Sequence, residues 1–168
     1  GKVSVFSDLN NLDDISMQEM FIDICGVTGQ EIHDNLEEEL HELASANGMT
    51  YDEVVAELKA CYDGYHFTEN SIGIYNPFSL LCTFKYNKFG SYWFETGTPT
   101  YLVELLKRYH YDLEHMAHAE TYADVLNSIY GDEEPLPVIF QSGYLTIKDY
   151  DKEFGLYRLG FPNREVEE

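Results

Sequence analysis

Residues 96–99, Thr96-Gly97-Thr98-Pro99, have the pattern of a helix start that could bind an anion. Thr98 is placed to cap the helix, and Pro99 suits the first helical position, where no N–H is required. Gly97 permits a backbone conformation or a close approach that a side chain would prevent. A helix N-terminus favours a phosphate because its free amides and its dipole both attract negative charge. An ordinary turn has the same pattern, so a phosphate site and a plain helix cap are both open.

Two further groups of polar residues could do chemistry. His110, His115 and His118, with Asp112 and Glu114 nearby, resemble a set of metal ligands, and His115 and His118 could share one helix face. The segment is polar and shows no supporting pattern around it, so a chance cluster is favoured and no metal is predicted.

The second group is Asp63 and His66, which could act as an acid–base pair because a carboxylate can orient an imidazole. Asp63-Gly64 is also a turn signal, and the aromatic residues around His66 suit packing against Tyr92-Trp93-Phe94. We therefore favour a structural role and predict no catalytic residue in this chain.

Several predicted helices would position these groups. Capping boxes at Thr28 to Glu31 and at Thr50 to Glu53 each start a helix, and the two helices form a hairpin around Asn47-Gly48. Asn76 and Pro77 start another helix, and Pro99 starts a fourth. The apolar stripes expected on these helices are Ile32, Leu36, Leu40 and Leu43; Val54, Val55, Leu58 and Cys61; Phe78, Leu80, Leu81 and Phe84; and Leu102, Leu105, Leu106 and Tyr109.

The pattern changes from Pro135 onward. A short buried helix ends near Gly143, and two alternating runs around residues 151–155 predict a β-hairpin similar to the wing of a winged-helix unit. We therefore predict a mainly α chain, in which a helical bundle is followed by a small winged-helix-like α+β unit.

Composition limits the function classes. The 168 residues carry a formal net charge of −21, and the first 58 hold 14 acids against the single base Lys2. Such a surface repels phosphate backbones, so direct binding of nucleic acid is not expected. The acidic face is either a solvated surface or a surface for a basic protein partner.

The chain has three widely spaced cysteines without a C-x-x-C motif, and it has no apolar run of membrane-spanning length. These features predict a cytoplasmic protein with reduced thiols.

Five strings in the chain carry a family resemblance: YDGYHF, YNPFSLL, YWFETGTPTYLVELLK, FQSGYLTIKDYD and LGFPNREV. Together with FSDLNNLDDIS near the start, they resemble the second half of the predicted AAA-ATPase-like family of bacteria. Members of that family look like P-loop ATPases followed by a nuclease-like domain of the PD-(D/E)XK class. The chain contains no G-x-x-x-x-G-K-[ST] motif. The resemblance therefore implies that the phosphate loop and the magnesium-binding acids precede this chain and that the nuclease-like domain follows it.

The resemblance also implies a division of the chain and a function. Residues 1–27 would be the exit from the ATPase core, 28–130 a helical lid-like bundle, and 131–168 a winged-helix-like hairpin region leading to the next domain. Gly97, Thr98 and Pro99, with Thr96, would contact the nucleotide, and Tyr75, Asn76 and Trp93 would support them. ATP and magnesium are expected only with the preceding part, and the chain by itself is not expected to hydrolyse ATP. The alternative is an acidic helical module that binds another protein and has no nucleotide role.

Overall fold

The computed structural model describes residues 26–69, 71–93, 104, 107, 118–127 and 135–167. In chain order, the elements are α1 (Gly29–Asn35), α2 (Glu37–Asn47), α3 (Tyr51–Tyr62), α4 (Pro77–Tyr86), β1 (Glu120–Thr121), α5 (Ala123–Leu126), α6 (Leu136–Gln141), β2 (Thr146–Asp151), β3 (Leu156–Gly160) and α7 (Arg164–Glu167). Glu104 and Lys107 are also helical. The described residues divide into two compact units. The helical unit contains residues 26–65, 72–93 and 162–167, and the sheet unit contains the others.

The helix starts of the helical unit follow local chemistry. The Thr50 amide donates to Glu53 Oε2 at 2.7 Å, and the Glu53 amide donates to Thr50 Oγ1 at 3.3 Å. Thr28 and Glu31 form the same reciprocal pair at α1, so both predicted capping boxes are confirmed. At α4, Asn76 Oδ1 accepts from two amides of the first turn, as predicted.

One apolar core holds the helical unit together. Helices α2 and α3 pack against each other across the Gly48 turn, which has a φ of +64°. Ile74 and Tyr75 also form a brief extended pairing, with bridges to Tyr65 and Val27. The buried members of this core are Ile32, Leu40, Leu43, Ala44, Val54, Leu58, Tyr62, Tyr75 and Leu80.

Among the described residues of the predicted apolar stripes, three are exposed. Val55, Phe78 and Leu81 have exposed fractions of 39%, 45% and 61%. Helix α4 buries Leu80 together with Ser79 and Thr83, so the face it turns to the core carries two hydroxyls. The sequence pattern missed this face because hydroxyl side chains do not contribute to an apolar stripe.

The sheet unit is an antiparallel sheet with the strand order β1-β3-β2. Strands β2 and β3 form the predicted hairpin, with Ile147 opposite Leu159 and a register shift before Asp149. At its turn, Asp151 Oδ1 accepts from the amides of Glu153 and Phe154. Helix α6 precedes the hairpin, as predicted. The core beneath comprises Leu126, Leu136, Val138, Ile139, Leu145, Ile147 and Leu159.

The prediction of a mainly α chain is wrong, because the chain is mixed α and β. The sheet has a third strand, β1, which comes from residues that were assigned to the helical bundle. Thr121 lies opposite Tyr157, and the Leu159 amide donates to the Ala119 carbonyl at 2.8 Å, so β1 pairs the free edge of β3. A strand of two residues is too short to show the alternation by which strands are recognised in a sequence. The predicted division at residues 28 and 131 stays a prediction.

Candidate functional site

The residues predicted to contact a nucleotide, Thr96, Gly97, Thr98 and Pro99, lie outside the described residues. So do the predicted apolar residues of the following helix, as well as His110, Asp112, Glu114 and His115. Their roles stay predictions. His118 is described and is exposed. Within the described part of the chain, no three His, Cys, Asp or Glu side chains are grouped as metal ligands.

Asp63 and His66, which were considered as an acid–base pair, belong to different compact units. Asp63 Oδ1 accepts from the Gly64 amide at 2.7 Å. His66 Nδ1 lies 2.8 Å from the Ser71 carbonyl oxygen, which can only accept, so Nδ1 is the donor there. Each side chain is held by its own turn, and the structural role predicted for the two residues stays a prediction.

Of the three predicted supporting residues, Asn76 and Tyr75 have structural roles in the helical unit. Asn76 caps α4, and Tyr75 is buried in the core. The third, Trp93, leads to a site that the sequence analysis did not identify, because its backbone amide donates to Glu165 Oε1 at 2.9 Å.

Glu165 is a buried carboxyl on α7, with only 3% of its surface exposed. Charged residues are rarely buried to this extent without a partner. Burial raises the pKa of Glu165, and the Trp93 amide, the Ser79 hydroxyl and the Tyr92 amide act in the opposite direction. The environment therefore favours a protonated carboxyl more than water does.

Four buried side-chain oxygens in the helical unit have no hydrogen-bond partner among the residues that the structure describes: Tyr51 OH, Tyr65 OH, Ser79 Oγ and Glu165 Oε2. Ser79 is completely buried. Its hydroxyl lowers the pKa of the Glu165 carboxyl, although the two groups do not have the geometry of a hydrogen bond. Burial also raises the pKa of Tyr65 to about 12, so this phenol stays neutral. An ionised Glu165 therefore has one oxygen satisfied and the other desolvated, which is unfavourable.

Residues 162–167, which we call the anchor segment, are held to the helical unit by several further contacts. Asn163 donates to the Asp63 carbonyl at 3.0 Å, and its Oδ1 accepts from the Val166 amide at 3.2 Å. A Cβ at Gly64, where φ is +100°, would lie 2.2 Å from the Pro162 carbonyl oxygen, so only glycine fits there. The backbone of the anchor segment thus packs directly against the backbone of the turn after α3.

Arg164 secures the outer side of the anchor segment. Its guanidinium forms an ion pair with Glu57 on α3 and donates to Cys61 Sγ at 2.9 Å. Burial raises the pKa of the Cys61 thiol, and Arg164 only partly offsets this, so Cys61 stays a thiol. Exposed ion pairs contribute little to stability, so docking depends mainly on the buried residues of the segment, Asn163, Glu165 and Val166.

Two sequence signals fall at this site. LGFPNREV carries a family resemblance, and Asp63-Gly64 predicts a turn. Neither indicates burial, because nothing local distinguishes a buried glutamate from the other acids of so acidic a chain.

The exposed surface of α2 is acidic. Glu37, Glu38 and Glu42 are exposed, and Glu37 and Glu38 lie in the first turn, where the helix dipole favours negative charge. No described helix is both long and apolar enough to span a bilayer.

Comparison with known proteins gives one informative match. The chain is 38% identical over 170 residues to a protein of Azotobacter chroococcum mcd 1 described as an uncharacterized protein in the vnfD 5' region. The alignment includes 98% of this chain but only 30% of the length of that relative. No protein-family model matches the chain. No solved structure matches it either.

Proposed function

We propose that this chain is the nucleotide-covering lid and interdomain connector of a larger, ATP-binding protein of the AAA-ATPase-like kind. In this role it binds its own ATPase core on one side and a nuclease-like domain on the other, in the cytoplasm. The chain is not catalytic alone. The motif strings support this role, and so does the much longer relative.

The observation that carries the connector role is the docking of the anchor segment. A connector must fix the direction in which the chain continues, and a buried carboxyl with a glycine contact gives such a fixed path. Because Glu165, Asn163 and Pro162 all meet parts of the helical unit, residues 162–167 are a built junction rather than a loose tail.

The same carboxyl supports the lid role. Glu165 holds the backbone of Trp93, and Trp93 precedes Thr96 by three residues in the chain. The predicted nucleotide contact therefore starts from a residue that the anchor segment fixes. Positioning of this kind is what phosphoryl-transfer sites require.

Calorimetry with ATP and magnesium tests this proposal. We expect the longer protein that contains this chain to bind ATP, and the 168-residue chain alone to give no binding heat, because the phosphate loop and the metal-binding acids lie elsewhere. A longer protein that does not bind ATP would refute the proposal.

A second candidate function rests on the exposed acidic surface of α2. In this alternative, the helical hairpin of α2 and α3 docks a basic protein partner and has no nucleotide role. Its affinity would fall steeply with added salt. The double substitution Glu38→Lys and Glu42→Lys should abolish capture of that partner. Glu104→Lys with Glu153→Lys is the matched control, because it changes the net charge equally at exposed positions outside the hairpin.

A further inference from the structure

We propose that the anchor segment is an acid-strengthened latch, which closes on the helical unit when Glu165 is protonated and loosens when Glu165 ionises. The inference rests on the proposed connector function and adds its regulation. It adds a pH response to a buried carboxyl that the proposed connector and lid roles use only as a fixed contact.

The two oxygens of the Glu165 carboxyl differ, because one accepts a hydrogen bond and the other is buried without a partner among the described residues. Glu165 Oε1 is satisfied by the Trp93 amide at 2.9 Å in either protonation state. Oε2 is buried and has no hydrogen-bond partner in the described ranges. When it is protonated, Oε2 is a neutral hydroxyl close to Ser79, and when it is ionised, it is a desolvated charge. Opening the latch returns that charge to water.

Among the described residues packed against the Glu165 carboxyl, no other group changes its charge in a way that mimics this effect. From α3, Tyr62 faces the carboxyl, and burial raises its pKa to about 12, as it does for Tyr65. Both phenols therefore stay neutral in mild acid. Helix α4 contributes only the Ser79 hydroxyl, and the segment before Trp93 contributes backbone amides.

The other charged groups lie on the outer side of the anchor segment. Arg164 keeps its positive charge and is paired with Glu57. Asp63 contacts the anchor segment through its carbonyl oxygen and uses its carboxylate for the Gly64 amide. Glu57 is the acid whose contribution the experiment must separate from that of Glu165.

The direction of the pH effect follows from linkage. The pKa of Glu165 is raised in the docked state and returns to its ordinary value near 4.5 in the open state. Docking is therefore strongest below that ordinary value, and it weakens as the pH rises through the raised pKa. Between the ordinary pKa of the open state and the raised pKa of the docked state, binding of one proton changes the equilibrium between docked and open segment by up to tenfold per pH unit.

Amide hydrogen exchange on the full 168-residue chain measures the latch directly. We expect protection of the Trp93 and Val166 amides, corrected for intrinsic exchange rates, to fall with rising pH by several fold and by at most tenfold per unit. The Leu40 amide of α2, which donates to Leu36, should keep its protection. Flat profiles at Trp93 and Val166, or a parallel loss at Leu40, would overturn the proposal.

Matched variants identify the responsible carboxyl. Glu165→Gln should flatten the Trp93 profile, whereas Glu57→Gln should leave its slope unchanged. If Glu165→Gln does not fold, Ser79→Ala serves instead. Removing a hydroxyl that lowers the pKa of Glu165 should move the profile to higher pH. A slope that follows Glu57, or a profile that Ser79→Ala leaves in place, would contradict the latch.

These measurements contain no nucleotide and no other domain. A failed latch therefore leaves the proposed ATP-binding role intact, and a protein that does not bind ATP can still show the pH-dependent docking.

Discussion

At the scale of single residues, Glu165 decides how firmly the anchor segment is docked. Glu165→Gln keeps an oxygen for the Trp93 amide, offers an N–H₂ group near Ser79, and removes a buried charge. We predict that this variant is at least as stable as the wild type at neutral pH. Glu165→Ala should lose about 1–3 kcal/mol, because it removes the acceptor of a half-buried hydrogen bond from the Trp93 amide.

Denaturant unfolding followed by fluorescence measures both variants, since Trp93 is the single tryptophan of the chain. A Glu165→Gln protein as destabilised as Glu165→Ala would show that the charge itself, rather than the acceptor oxygen, holds the segment.

Gly64 gives a second prediction at this scale. Its φ of +100° alone makes a side chain unfavourable by about 1–3 kcal/mol. In Gly64→Ala, the Cβ would also displace the Pro162 carbonyl. The control is Gly48→Ala, which shares a positive φ but has open space around it and should lose only about 1 kcal/mol. Equal losses measured by thermal unfolding would show that the contact with Pro162 is unimportant.

At the scale of elements, the helix starts are the part of the fold that the sequence predicts well. The two capping boxes and the Asn76-Pro77 start depend on residues three positions apart or fewer, so local chemistry determines them. We predict that Thr50→Ala destabilises the chain by about 1 kcal/mol. Thermal unfolding of Thr50→Ala and Thr50→Ser checks this, because serine keeps the hydroxyl. A loss with serine equal to that with alanine would contradict the capping role.

The capping carboxylates also predict a pH dependence with the opposite sign to that of Glu165. Hydrogen bonds from the Thr50 backbone and hydroxyl lower the pKa of Glu53, as those of Thr28 do for Glu31. A lowered pKa means that the carboxylate stabilises the folded chain above its ordinary pKa, and that this contribution is lost as the pH falls. Comparing acid unfolding of the wild type with that of Glu53→Gln should show a weaker dependence in the variant.

Other features of the fold could not be predicted from the sequence, because tertiary contacts determine them. Strand β1 exists only because β3 offers a free edge, and α4 buries Ser79 and Thr83 rather than Phe78 and Leu81. The docking of the anchor segment joins residues about 70 to 100 positions apart, such as Trp93 with Glu165 and Asp63 with Asn163. Periodicity and capping rules compare residues that are close in sequence, so they cannot detect contacts between residues this far apart in the chain.

At the scale of the whole molecule, the proposed role combines a helical unit, an anchor segment and a predicted nucleotide contact. In the proposal this chain works beside other domains, and its net charge of −21 is expected to favour basic neighbours over nucleic acid. The central claim is that residues 96–99 approach a bound nucleotide.

The most direct test is the thermal shift that ATP and magnesium produce in the longer protein, compared between the wild type and Gly97→Val. A ligand that binds only the folded state raises the unfolding midpoint by mass action. Gly29→Val is the control, because Gly29 also follows a threonine at a helix start and a Cβ there meets only a Tyr75 ring carbon at 3.8 Å. The account predicts a shift in the wild type and in Gly29→Val that Gly97→Val abolishes. An unchanged shift in a folded Gly97→Val protein would contradict it.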